Sequence, residues 1–116
     1  MNLGNLFAGI PSQALPEELL QTLWRTPNLR VERIVSHGHA TPAGQWYDQD
    51  ADEWVVLLSG SAGLRIEGHE EVWEMRPGDY VLLPAHLRHR VEWTDANAET
   101  VWLAIHATAE TCEPPT

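Results

Sequence analysis

The segment RPGDYVLLPAHLRH, residues 76–89, carries the strongest structural signal in this chain. Arg76–Asp79 places proline and glycine at the two central positions of a type II turn, where the second position requires a positive φ. A short apolar run, Tyr80–Leu83, follows the turn, and a second predicted strand, Arg88–Trp93, begins after Pro84. Short β-prone runs separated by turn residues predict an antiparallel sheet.

The same texture extends from Asn28 almost to the end of the chain. Short apolar segments recur, separated by turn signals such as Ser59-Gly60 and Asp95-Ala96-Asn97. This recurrence predicts an all-β sandwich or barrel. The predicted strands are Leu29–Ser36, Glu53–Ser59, Ala62–Glu67, Glu71–Met75, Tyr80–Leu83, Arg88–Trp93 and Thr100–His106.

The residues before Asn28 predict one short helix, at about 13–25. Pro16 suits the first helical turn, and the acidic pair Glu17-Glu18 suits the positive end of the helix dipole. Leucines and a tryptophan then recur with helical spacing until Thr26-Pro27 ends the pattern. We therefore expect three regions: an N-terminal extension over 1–28, a barrel over 29–107 and a flexible tail over 108–116.

Composition limits the possible functions. The chain has 116 residues, and its 17 acidic against 7 basic side chains give a net charge of −10. Such a field disfavours nucleic acid and anionic membranes as partners. The single cysteine, Cys112, forms no internal disulfide and is interpreted as an inert residue. With no apparent signal peptide or membrane span, we expect a cytoplasmic protein.

Two segments resemble the motifs of the cupin superfamily. The first motif, G-x5-H-x-H-x3,4-E-x6-G, is matched at its end by Glu53 and Gly60. The second, G-x5-P-x-G-x2-H-x3-N, is matched by Gly78, Pro84 and His89, although His86 replaces its inner glycine and Trp93 its asparagine. The resemblance implies a double-stranded β-helix, or jelly-roll barrel, over residues 29–107.

The resemblance also implies a divalent transition metal (Fe, Mn, Ni, Cu or Zn), and two alignments of its ligands compete. In one, Tyr47 and Gln49 occupy the usual histidine positions, and His39 folds back to complete a set of His39, Gln49, Glu53 and His89. In the other, His37 and His39 form the pair, because residues i and i+2 of a strand share a face. Imidazole and carboxylate suit all five metals.

The function predicted from these residues is chemistry on a small molecule in the barrel. Tyr47 and His86 are the candidate acid and base. Trp46, Tyr47 and Trp93 are expected to form an aromatic wall, and no arginine is expected to face inward, so a neutral or aromatic substrate is favoured. The alternative is a non-catalytic cupin that binds or senses a ligand. A homodimer is expected to form through Trp54, Val56 and Leu58, on the face opposite Glu53.

Overall fold

The computed structural model describes residues 1–108, and the eight strands of that part of the chain form two antiparallel sheets. The larger sheet has the order β1-β2-β8-β3-β6, and the smaller has the order β5-β4-β7. Cys112 and all of the predicted tail except Thr108 lie outside the described residues. The strands are β1 Leu19–Thr26, β2 Leu29–Ser36, β3 Asp52–Ser59, β4 Ala62–Ile66, β5 Val72–Met75, β6 Tyr80–Leu83, β7 His89–Thr94 and β8 Thr100–Ala107.

All seven predicted strands are present, with bounds that differ by at most one residue at either end. The predicted turn at Arg76–Asp79 is also confirmed. The amide of Asp79 donates to the carbonyl of Arg76 at 2.9 Å, and Gly78 has φ of 92°. These features depend on local chemistry, so the sequence alone predicts them well.

The prediction of an N-terminal helix is wrong, because the structure has no helix in residues 1–108. Leu19–Thr26 instead forms β1, which pairs antiparallel with β2 and carries a bulge between Thr22 and Trp24. The pairing of β1 with β2 satisfies the backbone hydrogen-bonding groups of this segment. An isolated helix of this length would be only marginally stable in water. Tertiary pairing therefore overrides the helical spacing of the leucines.

The core lies between the two sheets, where alternate residues of the central strands point inward. Its buried members are Val55, Leu57, Ala62, Leu64, Met75, Leu83, Trp102 and Ala104. Gly63 allows the close packing of the smaller sheet, because a Cβ at this position would lie 2.2 Å from the indole nitrogen of Trp93. The two sheets thus close around an apolar core.

Candidate functional site

A cavity of about 380 Å³ lies between the sheets. Its lining is divided equally between eight apolar side chains and eight charged or hydrogen-bonding ones. This division is typical of sites that bury a small molecule and orient it through a few polar groups. The apolar lining residues are Leu20, Ile34, Val55, Leu64, Met75, Leu83, Val91 and Trp102, and the polar ones are Glu18, Arg30, Glu32, Tyr47, Gln49, Glu53, His89 and His106.

Glu53 and His89 form a carboxylate–imidazole pair that joins the two sheets. Both are buried, with exposed fractions of 8% and 5%, and Nε2 of His89 lies 3.7 Å from Oε1 of Glu53. Nδ1 of His89 donates a hydrogen bond to the carbonyl of Leu87 at 2.9 Å, which fixes the ring orientation. The 3.7 Å separation is longer than a normal hydrogen bond, so Nε2 can also meet a ligand.

The pKa of His89 is raised above its ordinary value. Burial of the ring acts to lower this pKa, but the attraction of the Glu53 carboxylate and the hydrogen bond to the Leu87 carbonyl outweigh burial. A carboxylate beside a buried imidazole favours its protonated form. His89 is therefore able to accept a proton and to retain it while facing the cavity.

Tyr47 packs against His89 at the entrance of the cavity. The two rings stack with centroids 5.5 Å apart, and backbone hydrogen bonds of 2.7 and 3.1 Å link the two residues. Burial raises the pKa of Tyr47, and the nearby carboxylates of Glu18 and Glu53 raise it further against an opposing hydrogen bond with Thr41. The phenol thus keeps its proton and can donate it to a bound oxygen.

A second carboxylate–imidazole pair, Glu32 and His106, lines the same cavity. Oε1 of Glu32 accepts a hydrogen bond from Nε2 of His106 at 3.0 Å, and His106 is 7% exposed. Oε2 of Glu32 lies 3.5 Å from Nε of Arg30. The expectation that no arginine faces inward is therefore wrong, because β2 places Arg30 on the inner face beside β8.

Sequence reasoning missed this second pair because its members lie 74 residues apart. The sequence of β8 did contain a signal. Alternate residues of a strand share one face, so His106 lies on the same inward face as the buried residues Trp102 and Ala104. An inward imidazole needs a polar partner, and that requirement indicates an acidic residue on a neighbouring strand.

The candidate ligands are only partly brought together. Gln49 lines the cavity with Glu53 and His89, but His39 does not. Nδ1 of His39 accepts a hydrogen bond from the amide of His37 at 2.8 Å, while Nε2 donates to the carbonyl of Leu15 at 2.6 Å. Both nitrogens are thus occupied by backbone groups near the N-terminal segment, and the ring is not available to the cavity.

His86, the other candidate acid or base, lies on the surface rather than in the cavity lining. Its Nδ1 is 2.9 Å from Asp48, and its side chain is 65% exposed. A hydrogen bond with Asp48 raises the pKa of His86 despite a small opposing effect of desolvation. Its backbone φ of 65° lies in the left-handed region, which non-glycine residues seldom adopt.

The aromatic residues that line the cavity differ from those of the predicted wall. Trp46 is flanked by the guanidinium groups of Arg65 and Arg90, and Trp93 packs on Gly63, so neither lines the cavity. Tyr47 and Trp102 supply the aromatic surfaces instead.

The residues of the cavity fit a metal centre poorly. Within residues 1–108, no group of three or more His, Cys, Asp or Glu side chains is arranged to hold an ion. Glu53 and His89 provide two strong donors, and Gln49 adds only an amide oxygen. Transition-metal sites in proteins usually have three or four protein donors. The predicted ligand set of His39, Gln49, Glu53 and His89 is therefore not assembled.

A family model described as "Cupin domain" matches residues 32–106. The chain therefore belongs to the cupin family, and its fold is the cupin jelly roll that the motifs predicted. No curated protein matches the chain. No helix in the described residues is long and apolar enough to span a membrane.

Solved structures support the same fold. "A putative mannose-6-phosphate isomerase" from Ralstonia eutropha is 51% identical, with a TM-score of 0.90, and the match covers 94% of this chain and 100% of that one. An RmlC-like cupin protein from Desulfovibrio desulfuricans is 15% identical, with a TM-score of 0.71 and coverage of 94% and 99%. A cupin superfamily protein from Desulfitobacterium hafniense is 16% identical, with a TM-score of 0.69 and coverage of 86% and 84%.

Proposed function

We propose that this cupin is an enzyme of the isomerase type, which moves a proton within a small organic molecule bound in the cavity. The observation that carries this proposal is the buried Glu53–His89 pair, with Nε2 of His89 directed toward the carboxylate at 3.7 Å and still able to reach a ligand. A base of this kind, with a pKa tuned by a fixed carboxylate, typically accelerates proton transfer about 10²- to 10⁴-fold.

The proposed chemistry uses groups of this chain alone. Nε2 of His89 accepts a proton from a carbon beside a carbonyl, and Glu53 stabilises the resulting imidazolium. The protonated phenol of Tyr47 donates a hydrogen bond to the carbonyl oxygen, where negative charge develops. The phenol of Tyr47 then gives its proton to the former carbonyl oxygen and takes one from the neighbouring hydroxyl, so that the carbonyl forms at that carbon. Return of the proton from His89 to the former carbonyl carbon completes the isomerisation without loss or gain of atoms.

The metal-dependent mechanism is the second candidate, because no three His, Cys, Asp or Glu side chains of residues 1–108 are arranged to hold one ion. If an ion were bound, Glu53 and His89 would hold it and it would act as a Lewis acid. The acid–base route requires no additional ligand.

The test is proton exchange in D₂O, which detects enolisation before any product is known. A panel of small hydroxyaldehydes and hydroxyketones would include mannose 6-phosphate, because the Ralstonia eutropha relative carries that name. We expect deuterium incorporation into at least one compound by wild-type protein, with undiminished rates after EDTA treatment. H69Q is the matched control for H89Q, the variant that removes the proposed base, because His69 is an exposed histidine of the β4–β5 turn.

Two outcomes contradict the proposal. If the protein binds members of the panel without exchange, the chain is a non-catalytic cupin that binds or senses small molecules. If EDTA abolishes exchange and a divalent metal restores it, the metal-dependent mechanism replaces the acid–base one.

We also propose a homodimer, formed through the outer face of the larger sheet. Trp54 and Tyr80 pack against each other there at 5.6 Å, and Tyr80 and Leu82 are 68% and 59% exposed. An apolar patch of this kind is a frequent interface between copies. Sedimentation at micromolar concentration should give a dimer for wild type and a monomer for L82E, and a monomeric wild type would contradict the proposal.

A further inference from the structure

A second pocket, of about 370 Å³, opens at the edge of the larger sheet beside the cavity. We call it the edge pocket. Its lining contains no carboxylate, although 17 of the 116 residues of the chain are acidic. It contains instead two of the seven arginines and one histidine. The lining residues are Arg25, Thr26, Pro27, Asn28, Leu29, Arg30, Ala51, His106 and Thr108.

The two arginines are direct cross-strand partners. Arg25 of β1 lies opposite Arg30 of β2, so their side chains share one face of the sheet. Like charges at such positions destabilise a sheet unless a counter-charge lies between them. Within residues 1–108 Arg25 forms no ion pair. Nε of Arg30 is buried and makes no hydrogen bond there, and its counter-charge is Glu32, whose Oε2 lies 3.5 Å away. This arrangement can bind an anion.

The edge pocket and the cavity share two lining residues, Arg30 and His106. In the larger sheet, Arg25, Arg30, His106 and Glu53 lie in one row, each opposite the next across β1, β2, β8 and β3. Adjacent strands are about 4.8 Å apart, so Arg30 and Glu53 are separated by roughly 10 Å across the sheet. One small molecule can therefore span from the arginines to the Glu53–His89 pair.

We propose that the edge pocket binds an anionic group of the substrate, a phosphate or a carboxylate, and thereby places the rest of the molecule in the cavity. This inference names the substrate class for the proposed isomerase chemistry, and in that respect it rests on the proposed function. It replaces the sequence-based expectation of a neutral substrate. Two guanidinium groups can hold an anion through charge-assisted, bidentate hydrogen bonds.

The test is titration of ¹⁵N-labelled protein with inorganic phosphate, and separately with malonate, followed by the NMR signals of the arginine Nε–H groups. We expect saturable shifts at Arg25 and Arg30. We expect R25Q and R30Q each to weaken binding about tenfold, because each removes charge-assisted hydrogen bonds. R76Q is the matched control, since it changes the net charge equally at an exposed arginine of the β5–β6 turn and should leave affinity within about twofold.

The two variants distinguish a loss of anion binding from a loss of folding. Arg25 lies exposed on an edge strand, so R25Q tests the pocket even if R30Q, which disturbs the half-buried Glu32, unfolds. Absence of binding by both anions, or equal losses in R25Q and R76Q, would overturn the inference. H89Q should bind phosphate normally. Phosphate binding without any proton exchange would leave the anion site standing while removing the proposed isomerase activity.

Discussion

The two carboxylate–imidazole pairs of the cavity have the same chemical groups but different geometry. Glu32 and His106 lie on strands of one sheet and make a direct hydrogen bond of 3.0 Å. Glu53 and His89 belong to different sheets, and their closest atoms are 3.7 Å apart. Glu32 also faces Arg30, so each of its carboxylate oxygens has a partner of its own.

This difference indicates different roles for the two pairs. The Glu32–His106 pair has its hydrogen bond already made, which favours a structural and positioning role for both residues. The Glu53–His89 pair bridges the sheets and leaves Nε2 of His89 able to exchange a proton with a ligand. Similar residue types thus serve stability in one place and chemistry in the other.

The largest expected effect separates the two histidines in catalysis. H89Q should reduce the rate of proton exchange about 10²- to 10⁴-fold, because it removes the base. H106Q should reduce the rate by less than about tenfold, since His106 acts through position and not through the transferred proton. Exchange rates measured on both variants, with thermal melting to verify folding, check this prediction. Equal losses would mean that the pairs act as one catalytic unit.

The next effect concerns stability, and it should be larger for the Glu32–His106 pair than for the Glu53–His89 pair. E32Q should lower the free energy of unfolding by about 1–3 kcal/mol, because it weakens a made hydrogen bond and leaves Arg30 and His106 without their carboxylate. E53Q should cost less than about 1 kcal/mol, since the 3.7 Å contact is weaker. Urea unfolding of the two variants measures both values. A larger loss for E53Q would reverse the assignment of roles.

The smallest effect is the pH dependence that His89 contributes. Because its folded-state pKa is raised, the stabilisation is complete below the unfolded value of about 6.5 and is lost as pH rises through the folded value. Since the neutral ring is the base, kcat/KM should rise over the same interval. Urea unfolding of wild type and E53Q from about pH 5.5 to 9 tests the linkage. An unchanged profile in E53Q would exclude Glu53 as its cause.

Much of the fold was accessible from the sequence, because its signals are local. The turn at Arg76–Asp79, the alternation in each strand and the spacing from Gly78 to His89 all depend on neighbouring residues. The two motif spacings, Glu53 to Gly60 and Gly78 to His89, singled out Glu53 and His89, and the structure places both in the cavity lining. The N-terminal segment shows the limit, because Leu19–Thr26 has helical spacing yet pairs with β2.

The site was less accessible, because its residues come from distant strands. Arg30 and His106 face each other only through the pairing of β2 with β8. His39 has suitable donor atoms, but contacts with Leu15 and His37 direct them away from the cavity. Residue type alone therefore does not distinguish a ligand from a histidine that holds a backbone segment.

The sequence by itself determined the all-β architecture, the turn that orders β5 and β6, and the family, since each depends on short spacings of turn residues, apolar residues and motif positions. Only the tertiary structure decided that β1 is a strand. It also decided which side chains surround the cavity: Arg30, Glu32 and His106 line it together with Glu53 and His89, whereas His39 and His86 lie outside it. The physical reason is that hydrogen-bonded strand pairing sets which distant side chains become neighbours, and the free energy of that pairing depends on the whole sheet.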